Sequence, residues 1–96
     1  MPFDLVYSPD ANETLDRLEA QNDKKLLKVQ RTLGLLQTNL RNRGLQTHKH
    51  YEMEGPNGEE VFEAYVENNT PGAYRVFWHY GPGRGVISII AITPHP

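Results

Sequence analysis

Residues 26–40, LLKVQRTLGLLQTNL, decide the fold: Leu26, Val29, Leu33, Leu36 and Leu40 recur at alternating spacings of three and four. That rhythm lines one face of an α-helix, because 3.6 residues make a turn. Leu27 and Leu35 widen the stripe, so the helix is expected to touch both a second helix and a sheet. Asn22 or Asp23 stands before it as a cap, and Gly44 stands after it as the left-handed residue that closes a helix. Gly34 costs about 1 kcal/mol against alanine in a helix interior, which suggests that another backbone passes close by, the alternative being that the glycine is merely tolerated.

Toward the N-terminus, Phe3 to Tyr7 is short, aromatic and β-branched and stops at Ser8-Pro9, as an opening strand followed by a turn would. Asp10 and Glu13 form a capping-box-like pair ahead of a first helix over about residues 10–20, with Leu15 and Leu18 as a thin buried stripe. Toward the C-terminus the period changes to two. Phe62, Ala64 and Val66 alternate with Glu63, Tyr65 and Glu67, and Tyr74, Val76, Trp78 and Tyr80 alternate with Arg75, Phe77 and His79. Asn68 to Gly72 and Gly81 to Gly85 read as hairpin loops, and Gly55-Pro56-Asn57-Gly58 as a third turn. Val86 to Thr93 is apolar on both faces and is expected inside the sheet. The expected class is α+β: an N-terminal strand, then a two-helix hairpin packed on one side of a small antiparallel sheet (β-α-α-β-β-β), with residues 1–96 as a single domain.

No cysteine is present, so disulfides, thiolate metal sites and a cysteine nucleophile are excluded. The two-residue spacing of His48 and His50 brings ligands to one face of an extended segment, but no cysteine and no fixed second pair support a zinc site, and neither a metal nor a cofactor is expected. Gly81-Pro82-Gly83-Arg84-Gly85 lacks the context of a phosphate loop. No apolar run approaches membrane-spanning length and no leader pattern opens the chain, which points to a cytoplasmic protein without membrane contact. The net charge of −2 conceals a sorting along the chain. Lys24 to His50 holds seven Lys or Arg and no acid, whereas Tyr51 to Asn68 holds six Glu and no Lys or Arg. A basic ridge of this kind attracts polyanions or an acidic partner.

If the even-numbered positions of the Tyr74–Tyr80 strand lie under the helices, Arg75 and His79 point to the open face with Glu63 and Tyr65. His95 lies beyond the last strand, and Lys49 with His48 or His50 stands at the rim. Arg75 offers a planar fork matched to phosphate oxygens, and imidazole and carboxylate side chains are residue types that can take up or give a proton. A plain cross-strand ion pair of Arg75 with Glu63 or Glu67 is the alternative. Trp78 and Tyr74, sharing a face with Val76, read as core.

The element order and the residues at its joints resemble the RelE/ParE toxin superfamily over nearly the whole chain. The carrying residues are Ser8-Pro9-Asp10-Ala11, the helical pair, His48-Lys49-His50, Tyr74-Arg75-Val76-Phe77 and Ile92-Thr93-Pro94-His95-Pro96. The resemblance implies the toxin of a type II toxin–antitoxin system. Such a toxin is a ribosome-associated endoribonuclease cleaving messenger RNA, as in the RelE, YoeB and HigB branches, or an inhibitor of DNA gyrase, as in the ParE branch. It also implies a cognate antitoxin, expected here on the basic second helix or a sheet edge. In the nuclease branches a strand arginine steadies the scissile phosphate and a residue past the last strand takes part in proton transfer, roles that fall on Arg75 and His95. Glutamates near Phe62 to Val66 stand where RelE carries lysines, which keeps the non-catalytic alternative open.

Overall fold

The computed structural model describes residues 2–67 and 70–94. In chain order it contains β1 (Asp4–Tyr7), α1 (Pro9–Ala20), α2 (Lys25–Thr38), a 3-10 turn (Arg43–Leu45), β2 (His48–Glu54), β3 (Glu60–Tyr65), β4 (Tyr74–Tyr80) and β5 (Val86–Pro94). The strands form one sheet in the order β1-β5-β4-β3-β2. The α+β class and the order of elements agree with the sequence reading. Two features differ: β1 runs parallel to β5, so the sheet is mixed rather than wholly antiparallel, and β2 adds a strand. His-Lys-His-Tyr-Glu-Met-Glu has no apolar face to give a period-two signal, because β2 is an edge strand with most of its side chains exposed or half-buried.

Helix α1 starts at Pro9, and Ser8 caps it, rather than the Asp10–Glu13 pair. Ser8 Oγ accepts from the Ala11 amide at 3.0 Å, and Pro9 occupies the first turn, where a missing N–H costs nothing. The same hydroxyl donates to the Ile90 carbonyl at 2.8 Å, and the Ser8 amide donates to the Ile89 carbonyl at 2.9 Å. One residue thus joins β1, α1 and β5. Helix α1 buries Ala11, Thr14 and Leu18, with Leu15 half-buried, and lies along β5.

Helix α2 is entered through Asp23, whose carboxylate accepts from the Lys25 amide at 2.9 Å. It ends at Thr38, well before Gly44. The asparagines explain the early end. Asn39 leaves the helical region at φ −152° and ψ 71°. Asn42 then turns its side-chain oxygen onto the Gly44 amide at 2.8 Å and starts the 3-10 turn, a local bond that competes with helix. The turn buries Leu45, which a continued helix would have carried past the sheet. Gln46, not Gly44, takes the left-handed conformation.

The core lies between the helices and one face of the sheet: Leu18, Val29, Leu33 and Leu36 meet Val76, Trp78, Ile87, Ile89 and Ile92, all buried. Tyr74 and Trp78 belong to it, as expected. Strand β5 is internal, flanked by β1 and β4. Its register with β4 breaks between Trp78↔Ile89 and Phe77↔Ala91, which leaves Ile90 as a bulge. Past β3 the chain turns back to α2, where Glu67 meets Lys28 at 2.9 Å and Lys25 at 3.0 Å. Among the described residues no helix is long and apolar enough to cross a membrane.

A methyl group at Gly34 would meet nothing within 4 Å, so no backbone passes close and the glycine is simply an exposed helical position. Gly34→Ala is therefore expected to stabilise the fold by about 1 kcal/mol, read as a melting temperature higher by about 4–8 °C. The Lys28 and Lys25 ammonium groups hold the Glu67 carboxyl below its ordinary value of 4.5. A depressed folded value makes this contribution present above the unfolded value and lost as pH falls through the folded one. Glu67→Gln is expected to cost up to about 1 kcal/mol at pH 7 in denaturant melts, with the gap to the unaltered chain closing below pH about 4.

Candidate functional site on the open face of the sheet

Directly opposed residues of an antiparallel pair share a face. Ala64 opposes Val76 and Phe62 opposes Trp78 on the helix side, so Glu63 with Phe77, and Tyr65 with Arg75, fall on the open side. His48 opposes Glu63 and His50 opposes Val61, which brings both imidazoles of β2 to that side. On β5, Thr93 opposes Arg75.

Glu63 is the centre of this face. Its side chain is only 6% exposed, and both of its oxygens are engaged. Arg75 Nη1 donates to Oε2 at 2.5 Å, and His48 Nε2 lies 2.9 Å from Oε1. His48 Nδ1 lies 2.9 Å from the Gln46 carbonyl oxygen, which can only accept. Both ring nitrogens of His48 thus lie at hydrogen-bond distance from oxygens, which holds the ring against Glu63. The Arg75 guanidinium carbon sits 4.1 Å from the centre of the Tyr65 ring, a cation–π contact, and the His48 ring meets Tyr65 edge-on at 5.6 Å. Among the described residues Arg75 commits one of its five N–H donors, to Glu63, and its other donors remain for a ligand.

The remaining expected site residues are distributed differently. His79 shares the open face but is buried near the Gly55–Glu59 turn, with Nδ1 at 2.8 Å from the Tyr80 carbonyl oxygen and 3.9 Å from Glu59. It stands four residues along β4 from Arg75, roughly 13 Å at strand rise, and does not join the cluster. His50 packs edge-on against Phe77 at 5.4 Å, and its buried Nδ1 has no partner among the described residues. Lys49 opposes Phe62 and so projects to the helix side, where it binds Glu60 at 3.1 Å and lies over the Tyr51 ring. It is not at the rim of the Arg75 site. His95 lies outside the described residues. The alternative pairing of Arg75 with Glu67 does not occur, since Glu67 faces α2.

Sequence reasoning did not find the direct bonding of His48 to Glu63, because the register of an edge strand without an apolar face is not readable from its side chains. It also did not find a cavity of about 300 Å³ between α2, the 3-10 turn and the end of β3, which depends on α2 ending early. The alternation of β3 and β4 did place Glu63, Tyr65 and Arg75 together.

No protein-family model matches the sequence, and no curated protein matches it. The fold does match solved structures. The archaeal RelE–RelB complex from Pyrococcus horikoshii OT3 superposes with a TM-score of 0.65 at 16% identity, covering 98% of this chain and 96% of the other. The YoeB dimer from Staphylococcus aureus gives 0.64 at 19% identity, covering 100% of both chains. YafQ from E. coli strain BL21(DE3) gives 0.66 at 12% identity, covering 97% of this chain and 93% of the other. The chain has the fold of RelE, YoeB and YafQ.

The buried pair sets a stability prediction. Glu63→Ala leaves Arg75, 19% exposed, without its anion, and is expected to cost about 2–4 kcal/mol. Adding Arg75→Ala removes the orphaned charge, so the double variant should be less destabilised than the sum of the singles. Denaturant melts of the four chains measure this, and additive losses would mean that the two side chains are not coupled.

Proposed function

We propose that the chain is the toxin of a type II toxin–antitoxin pair and that it cleaves messenger RNA without a metal ion, in association with the ribosome. One observation carries the reading: in a fold shared with RelE, YoeB and YafQ, the open face of the sheet holds Arg75, Glu63, His48 and Tyr65 in mutual contact.

The chemistry follows from the contacts. A scissile phosphate competes with Glu63 for Arg75, and the planar guanidinium takes its oxygens in a fork. Transfer of Arg75 to the phosphate frees Glu63 Oε2, which then accepts the proton of the ribose 2′-hydroxyl. The 2′-oxygen bonds to phosphorus, the bond from phosphorus to the 5′-oxygen breaks, and His95 gives the departing oxygen its proton. The products are a 2′,3′-cyclic phosphate and a 5′-hydroxyl. Arg75 stabilises the charge that builds on the phosphoryl oxygens. His48 keeps its hydrogen bond to Glu63 Oε1 while Arg75 is engaged, and Tyr65 offers its ring to a base next to the cut.

The RelE neighbour is held in a RelE–RelB complex, and by analogy a cognate antitoxin would cover this face or the basic side of α2. A non-catalytic reading, a ParE-like inhibitor of a host protein such as DNA gyrase, is favoured by one feature: both oxygens of Glu63 are occupied, as they would be in an inert brace.

Mapping RNA 5′ ends after induction separates the two. The nuclease reading expects new cleavages in messenger RNA that vanish in Arg75→Ala, and a loss of about 10²–10³ in cleavage rate for Arg75→Ala, Glu63→Gln and His95→Ala, each checked for folding by circular dichroism. Toxicity that survives in Arg75→Ala and His95→Ala would leave the inhibitor reading.

A further inference from the structure

The cavity between α2, the 3-10 turn and β3 has a composition of its own. Leu35, Leu45 and Val66 give it apolar walls, Arg31 and Lys28 stand on α2 at one side, and Asn42 and Tyr65 complete it. Its volume of about 300 Å³ lies at the lower end of the range for small-ligand sites. Glu67 also lines it but is neutralised by Lys25 and Lys28, so the balance of charge around the cavity is positive. Two donors there are uncommitted. Arg31 has no bonding partner among the described residues. Asn42 faces the Gly44 amide with its oxygen, which leaves its amide N–H pair without a partner among the described residues. Tyr65 belongs both to this cavity and to the open-face cluster, where Arg75 lies over its ring.

We infer that this cavity is a subsite for one nucleotide of single-stranded RNA, with the base against Leu35, Leu45 and Val66 beside Tyr65 and the phosphate on Arg31. The inference rests on the endonuclease reading and adds a recognition element to it. A nucleotide suits the walls because it brings a flat apolar face, ring acceptors for the Asn42 N–H groups and a phosphate for a guanidinium. A segment of acidic side chains alone would pair with Arg31 but would leave the apolar walls of Leu35, Leu45 and Val66 unused. Tyr65 lines the cavity and also belongs to the Arg75 cluster, so the two adjoin at the end of β3 and can hold neighbouring parts of one strand.

Amide NMR spectra of the full chain, titrated with adenosine 5′-monophosphate and separately with ribose 5-phosphate, test this directly. Adenosine 5′-monophosphate is expected to shift the amides of Leu35, Gly44, Leu45 and Val66, to bind about tenfold tighter than ribose 5-phosphate, and to lose most of its affinity in Arg31→Ala. Equal binding of the two compounds would reduce the cavity to a bare phosphate contact and overturn the proposal. Shifts located elsewhere, or the absence of saturable shifts, would overturn it as well. An oligoglutamate peptide that moves the same amides at lower concentration would also overturn it, in favour of an acidic protein partner. In cleavage of messenger RNA on ribosomes, Arg31→Ala should raise KM and leave kcat unchanged. If the unaltered chain cuts no messenger RNA on ribosomes, the endonuclease reading fails, while the nucleotide titration still decides the subsite on its own.

Discussion

The bulge at Ile90 sets the phase of the last strand, and the two faces of the sheet depend on it. Before the bulge, Ile87 and Ile89 face the helices; with strict alternation Ala91 and Thr93 would follow them inward. The extra residue inverts the parity, so that Ile92 enters the core and Thr93 comes to the open face beside Arg75. Ser8 fixes the bulge by donating its hydroxyl to the Ile90 carbonyl while capping α1. The packing of the helix and the floor of the candidate site are therefore set by one local irregularity.

On the open face the organising group is a buried carboxylate. Desolvating Glu63 is costly unless cations and hydrogen bonds compensate, and here Arg75 and His48 do so from the two neighbouring strands. The arrangement orders side chains of three strands around one anion, and Tyr65 covers it from the side. In the proposed reaction the same contacts would also hold a charge that an incoming phosphate draws away.

Much of this was legible in the sequence, for reasons that individual residues make plain. The leucines of α2 and the alternation of β3 and β4 are strong periodic signals, and they gave the class, the order of elements and the shared face of Glu63, Tyr65 and Arg75. Helix ends were less legible. Ser8 outcompetes Asp10 because it also has a partner on β5, and Asn39 with Asn42 ends α2 through local bonds that no hydrophobic pattern reveals. Strand β5, apolar on both sides, carries no record of its own phase, so the bulge could not be read from it. Strand β2 failed in the opposite way, being polar on both sides, and with it went the contact between His48 and Glu63. The cavity beside α2 was invisible because it exists only where the helix stops.

The parallel pairing of β1 with β5 also bears on the order in which the molecule can form. Ser8 and Ile90 are 82 positions apart, and loop-closure entropy makes such distant pairings late and slow. During synthesis β1 and α1 emerge well before β5 and lack their partner strand until residues 86–94 follow. Arg75 likewise stands on an unpaired edge until Thr93 arrives. The nascent chain therefore carries an incomplete open face until β5 has been made, and the site is the last part of the sheet to be assembled.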